Sequence, residues 1–285
     1  MRFLKMREME RRTMAVQATR LRAEGIRKSF GKGPQGQCVL DGVSLALRPG
    51  EFVCLLGPSG SGKSTFMKIL GGIEAADEGA LVVDGHPCGL RIPRSHLAHF
   101  GFIFQSDNLL PWLSAEENVL FPLDTMALPD GRGRKERRAH AVEMLNLVGL
   151  SDYGKAYPHE LSGGMRQRVG IARALVHNPS ILLMDQPLGA LDAITRRKLS
   201  FELLRIWRET RKSVVMVTNN VEEALLLANR ICVLSPRPAT VLHEVSVPIP
   251  TEERNANIVR NPEYNRLRIL IEGWVRERSG RSEKI

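Results

Sequence analysis

The chain has 285 residues, enough for one large domain or for one domain with appendages. Its 43% hydrophobic and 25% charged content is that of an ordinary globular protein, and no apolar run approaches the ~18–20 residues of a membrane span. The net charge of +10 is spread along the chain without interleaved aromatics, and Cys38, Cys54, Cys88 and Cys232 form no Cys-x-x-Cys pair, so a nucleic-acid partner, a disulfide framework and a zinc site are all excluded as expectations.

Residues 1–20 are Met- and Arg-rich without firm periodicity and read as a basic, disordered tail, or as an overlong start with Met14 as a rival initiator. Short strands and turns follow, Leu21 to Ile26 and Val43 to Leu47, separated by a turn-rich loop from Gly31 to Gly36. The apolar run Phe52 to Leu56 then leads into Gly57-Pro58-Ser59-Gly60-Ser61-Gly62-Lys63-Ser64, and a helix-like run from Thr65 to Leu70 leads out. A glycine, four residues and Gly-Lys-Ser form a loop whose backbone N–H groups wrap phosphate oxygens, with the positive end of the following helix adding to the attraction. Lys63 reaches the β- and γ-phosphates of a nucleoside triphosphate and Ser64 holds Mg²⁺. The competing reading is a Gly-rich turn with a solvated lysine. The pattern arises by accident in roughly one chain of this length in a hundred, and the strand before and helix after make accident rarer still.

Beyond the loop, Gly79 to Val83 reads as a strand ending in an Asp84-Gly85 turn, and Phe100 to Phe104 as another strand. From about residue 106 to 176 the pattern turns helical, with Ala141 to Leu150 at helical spacing before a glycine stop and a helix from Val169 to Val176. Ile181 to Met184 and Val214 to Val217 are fully apolar, as expected of buried parallel strands, and Thr195 to Arg211 reads as the helix between them. Strand–helix alternation around a phosphate loop predicts a doubly wound α/β core. Toward the end, Pro236, Pro238, Pro248 and Pro250 break the chain. Asn261 then caps and Pro262 starts a closing helix whose stripe of Tyr264, Leu267, Ile271 and Trp274 is expected to pack on the body.

Two further constellations carry chemistry. Asp185, at the end of a buried strand downstream of a phosphate loop, is placed to hold Mg²⁺ through water. Ser162-Gly163-Gly164 ahead of a helix offers N–H groups, a hydroxyl and a positive helix end, which makes a second anion site; a plain helix N-cap is the alternative.

With these motifs in this order, residues 22 to 247 resemble the ATP-binding subunit of an ABC transporter. The resemblance implies an α/β phosphate-loop NTPase core with an antiparallel β subdomain and an inserted helical subdomain, binding ATP and Mg²⁺. It divides the chain into the tail 1–20, an ATP-binding domain 21–247 and a C-terminal extension 248–285. Ser162-Gly163-Gly164 matches the signature segment that serves a partner's phosphate loop, and Gly189-Ala190-Leu191-Asp192 the loop that crosses between two subunits. Gln105 matches the glutamine loop, in contact with Mg²⁺ and the attacking water. Asn108 to Trp112, with Leu109, Leu110 and Trp112 as exposed apolar residues, matches the segment that faces a membrane permease. Phe30 falls where an aromatic stacks on adenine, a positional match that a core phenylalanine also satisfies. Leu110-Pro111-Trp112, Gly189 to Arg196 and Leu234 to Pro238 resemble the nitrate, sulfonate and taurine importer branch, and Asn261-Pro262-Glu263-Tyr264 its nitrate-type members. The implied partners are a permease, a second ATP-binding subunit (a copy of this chain or an intact paralogue) and, indirectly, an extracellular or periplasmic substrate-binding protein. The implied location is the cytoplasmic face of the membrane.

Two residues depart from the pattern. The family places a glutamate directly after the strand-end aspartate to polarise the attacking water, and this chain has Gln186. The family places a γ-phosphate-sensing histidine after the second buried strand, and this chain has Asn219. Gln cannot accept a proton, although its amide oxygen orients water; Asn donates a neutral hydrogen bond but carries no charge and relays no proton. Lost general-base assistance slows hydrolysis by about 10²–10⁴-fold. The expectation is therefore intact ATP binding with slow hydrolysis at the chain's own site, the alternatives being a site that tolerates both changes, a non-hydrolysing or regulatory nucleotide-gated clamp, and a soluble ABC ATPase without a permease.

Overall fold

The computed structural model describes residues 19–31, 36–126 and 131–279. The tail expected over residues 1–20 lies outside them except for Thr19 and Arg20. Arg20 is tied in: its N–H donates to Leu47 O and its guanidinium pairs with Asp84 at 2.9 Å.

Two sheets form the body. β1 (Leu21–Phe30), β2 (Gln37–Leu47), β4 (Glu78–Val83) and β5 (His86–Gly89) make an antiparallel sheet in the order β2-β1-β4-β5, with the Asp84-Gly85 turn joining β4 to β5. The second sheet runs β10-β9-β3-β8-β7-β6. Its members are β3 (Phe52–Leu56), β6 (Phe100–Ile103), β7 (Ile181–Asp185), β8 (Ser213–Thr218), β9 (Arg230–Leu234) and β10 (Val241–Ser246). All its neighbours are parallel except the edge pair β9 and β10. The central strands are covered on both faces, which is why they read as unbroken apolar runs. Phe52, Cys54 and Leu56 of β3 point into one core and Val53 and Leu55 into the other.

The helices are α1 (Lys63–Leu70), α2 (Ala115–Thr125), α3 (Arg134–Leu147), α4 (Gly163–Leu175), α5 (Ala193–Thr210), α6 (Val221–Leu227) and α7 (Pro262–Ser279). Helices α2, α3 and α4 pack on one another beside the parallel sheet. Helix α3 starts at Arg134, well before the apolar spacing signals it, because only Ala141 and Leu145 are buried and the Arg-rich first turns carry no apolar period. Helix α4 likewise starts at Gly163, inside the Ser-Gly-Gly segment rather than at Val169. In α7, Asn261 Oδ1 accepts from the N–H groups of Glu263 and Tyr264, Tyr264, Leu267 and Ile271 are buried, and half-buried Trp274 stacks on His243 at 4.3 Å. Among the described residues no helix is long and apolar enough to cross a membrane.

Register places the site. Leu56 lies beside Thr218, and Asp185 beside Val217. The loops leaving β3, β7 and β8 therefore open at one carboxyl edge, where open α/β sheets bind ligands.

Candidate nucleotide site

The loop Gly57 to Gly62 leaves β3 and enters α1 without a side-chain cap, so the first N–H groups of the helix stay available. Gly62 sits at φ 106°, and a Cβ there would stand 2.9 Å from Val39 Cγ1, so glycine lets the loop lie against β2. Gly57, Ser61 and Lys63 are buried, Pro58, Ser64 and Thr65 half-buried, and Ser59 and Gly60 exposed at the rim. Lys63 Nζ donates to Gly57 O at 2.8 Å, Pro58 O at 2.7 Å and Ser61 Oγ at 3.3 Å. Burial pushes its pKa down to about 8, against the attraction of Asp185. A buried ammonium held by neutral oxygens, with no ion-pair partner among the described residues, fits a polyanion.

Ser64 Oγ donates to Asp185 Oδ1 at 3.1 Å. Burial raises the Asp185 carboxyl, with the Ser64 hydrogen bond and then Lys63 and Lys68 opposing. A hydroxyl and a carboxylate in contact are the hard oxygen donors that suit Mg²⁺. Gln105 follows β6 two residues after the Ile103–Met184 pair, so it lies at the same edge, with its side chain exposed. Phe30 ends β1 with 45% of its surface exposed, not in the core, and Lys28 Nζ lies 5.3 Å from its ring centre.

The two departures from the family pattern meet. Gln186 adopts φ 46°, its N–H donates to Val217 O at 2.9 Å, and Asn219 Nδ2 donates to Gln186 Oε1 at 3.4 Å. Thus a neutral amide pair stands beside Asp185, where an acid and an imidazole were expected.

Ser162-Gly163-Gly164 stays apart from the phosphate loop; no hydrogen bond among the described residues joins them. Ser162 Oγ accepts from Met165 N–H at 3.3 Å as the N-cap of α4, and a Cβ on Gly164 would reach 2.9 Å from Thr195 Cγ2. Asp192 is the N-cap of α5, accepting from the N–H groups of Ile194 and Thr195, and those hydrogen bonds hold its carboxyl below the ordinary range. The signature segment and the Asp192 loop therefore share one surface.

The loop after Gln105 corrects one expectation. Trp112 is 69% exposed, but Leu109 is buried, packed into the core beside α2 and α4. The organiser is Asn118, fully buried in α2. Its Oδ1 accepts from Leu110 N–H, and its Nδ2 donates to the carbonyls of Leu110, Leu113 and Ser114. Nothing in the sequence singles out Asn118, although Ser114 and Glu117 in front of it form a legible capping box. Also unforeseen, Arg166 Nε donates to Asp107 Oδ2 at 2.8 Å, and Arg173 donates to the carbonyls of Asp107 and Asn108, each at 2.8 Å.

A parallel sheet opening through a glycine-rich loop onto a buried lysine, with a Ser–Asp oxygen pair beside it, defines a phosphate-loop nucleotide-binding protein. The sequence pattern of the ABC transporter family matches residues 40–189. The chain belongs to the ABC transporter family as an ATP-binding cassette. It is 46% identical over 215 residues to the taurine import ATP-binding protein TauB of Sinorhizobium fredii (strain NBRC 101917 / NGR234), covering 75% of this chain and 77% of that one. It is 40% identical over 252 residues to the nitrate import ATP-binding protein NrtD of Synechocystis sp. (strain ATCC 27184 / PCC 6803 / Kazusa), covering 86% of this chain and 91% of that one. Among solved structures it superposes, with a TM-score of 0.70 and 35% identity, on a dimeric post-hydrolysis state of the ATP-binding cassette MJ0796 bound to ADP and Pi, covering 81% of this chain and 100% of that one.

Proposed function

We propose that this chain is the ATP-binding subunit of an importer for a small oxyanion of the nitrate or sulfonate (taurine-like) class, docked on a permease at the cytoplasmic face of the membrane, and that its own hydrolytic site is slow. The phosphate loop and Lys63 bind the triphosphate, Phe30 stacks on the base, and Ser64, Asp185 and Gln105 hold Mg²⁺. The metal supplies positive charge to the phosphate oxygens. Ser162-Gly163-Gly164 and Asp192 complete a second subunit's site. Phe102, Phe104, Leu110, Phe121 and Met126 line a groove, and exposed Trp112 follows Leu110 by two residues; these apolar groups suit an apolar segment of the permease. Replacing Trp112 with Glu is expected to release the chain from its permease on co-purification while ATP affinity stays within about twofold. Misfolding would make Trp112 a packing residue instead.

The observation that carries the slow site is the contact between Gln186 and Asn219. Gln186 Oε1 faces an amide donor, and neither residue takes a proton from water at neutral pH. A pair of such sites is a poor engine for continuous import, so the reading favours a partner with an intact site: one site holds ATP while the other cycles. The test is ATP turnover of the unmodified chain, of Gln186→Glu, and of Gln186→Glu with Asn219→His, under conditions that permit dimerisation. Turnover is expected to rise about tenfold or more when both residues are restored. An unmodified chain as fast as the double variant would refute the slow site. Turnover that stays negligible in all three favours a non-hydrolysing, nucleotide-gated clamp.

A further inference from the structure

Arg254 lies in the C-terminal segment, outside every motif discussed above. It is 2% exposed, and it forms no ion pair among the described residues. Its donors are spent on backbone carbonyls alone. Nε and Nη2 bind Ile249 O at 3.0 and 2.9 Å, Nη2 also reaches Val247 O at 3.4 Å, and Nη1 binds Leu226 O at 3.2 Å and Ala228 O at 2.8 Å. Leu226 and Ala228 are the C-terminal end of α6, so the guanidinium caps that helix, where a cation also meets the negative end of the helix dipole.

The other end of α6 holds the turn that carries Asn219, the position that senses γ-phosphate in the family pattern. Thr218 is the last residue of β8 in the ladder with β3, and Asn219 lies past it. The residues on either side of Asn219 are tied to α6: Thr218 Oγ1 donates to Glu223 Oε2 at 2.6 Å, Asn220 N–H donates to Thr218 Oγ1 at 3.1 Å, and Asn220 Oδ1 caps the helix through Glu223 N–H at 3.0 Å. From Glu223 to Leu227 every residue is buried. A rod of seven residues, ~10 Å long, thus has Asn219 at one end and Arg254 at the other.

Resting on the reading of Asn219 as the γ-phosphate contact, we infer that Arg254 is a positioning residue for that contact: by capping α6 it holds Asn219 where ATP, but not ADP, can use it. The C-terminal segment then takes part in nucleotide discrimination without touching nucleotide.

The test measures ATP and ADP affinities of the full chain, of Arg254→Met, of Asn219→Ala and of the double variant. Arg254→Met is expected to lower the preference for ATP over ADP roughly five- to tenfold with ADP affinity nearly unchanged, and the double variant is expected to lose no more than Asn219→Ala alone. Equal loss of both nucleotides, or additive losses in the double variant, would overturn the inference. Hydrogen exchange at Asn219 and Asn220, faster in Arg254→Met while β3 and β7 stay protected, reports the coupling without nucleotide; unchanged exchange would overturn it. If Asn219→Ala keeps the full ATP preference, the γ-phosphate reading fails, and exchange still decides whether Arg254 holds the turn. If Arg254→Met does not fold, Arg254→Lys, with fewer donors, takes its place: a selective drop of roughly twofold supports the inference, and an equal or absent change sinks it.

Discussion

The phosphate loop and the Ser162–Gly164 segment both lead into the start of a helix, yet they are held in opposite ways. Around the phosphate loop the polar groups have closed on one another: Lys63 on loop carbonyls, Ser64 on Asp185. At the signature segment a single serine caps α4, Ser162 is exposed, and among the described residues no hydrogen bond joins it to the phosphate loop. On the reading proposed above, the first region binds nucleotide by itself, and the second completes a site only when another subunit supplies the phosphates.

The largest expected effect breaks the first region. Lys63→Ala should lower affinity for labelled ATP by roughly a hundredfold or more while circular dichroism shows the fold intact, since a charge-assisted contact to phosphate and its buried cation are both lost. Tight binding by a folded Lys63→Ala protein would end the assignment. Next, Ser162→Asp keeps an N-cap but, on the proposed reading, places a negative charge against the phosphates held by a second subunit. ATP binding by the single chain should stay within about twofold, while ATP-driven association, followed by sedimentation, weakens about tenfold. Equal weakening of both would mean that the segment serves its own chain's nucleotide. The smallest effect sharpens the contrast through pH. Below pH 8 Lys63 carries its proton before and after ATP binds; above its pKa of about 8 the free protein has lost it, and binding must take a proton up. Apparent affinity should therefore fall as pH rises above that value, by up to about tenfold per unit. The stability of the free protein should move the other way, because deprotonation relieves a buried charge that the unfolded chain keeps to its ordinary, higher pKa. A flat affinity profile above pH 8 would show that Lys63 is not the charge being read.

Legibility followed the source of each signal. The phosphate loop, Asp185 and the buried strands were readable because a local pattern suffices: glycine spacing, or an unbroken apolar run. Strand β9 passed unread although Ile231 to Leu234 is such a run, since it stands directly before a proline-broken segment. The starts of α3 and α4 were misplaced because arginine-rich and glycine-containing turns hide the apolar period that marks a helix. Leu109 has the sequence context of a surface residue and is core, because burial of a loop residue is decided by α2 and α4, which reach it from elsewhere in the chain. The amide contact between Gln186 and Asn219 joins residues at the ends of two strands, and no spacing rule connects them.

The ties from Arg166 and Arg173 to Asp107 and Asn108 have a mechanical meaning. They bolt the chain that follows Gln105 to the flank of α4, the helix whose first turn carries Ser162. On the proposed docking, a push on Trp112 from a permease and a pull on Ser162 from a neighbour's nucleotide would then load the same strut. Force would cross the subunit as the rigid displacement of one piece, with no bond in between that has to melt.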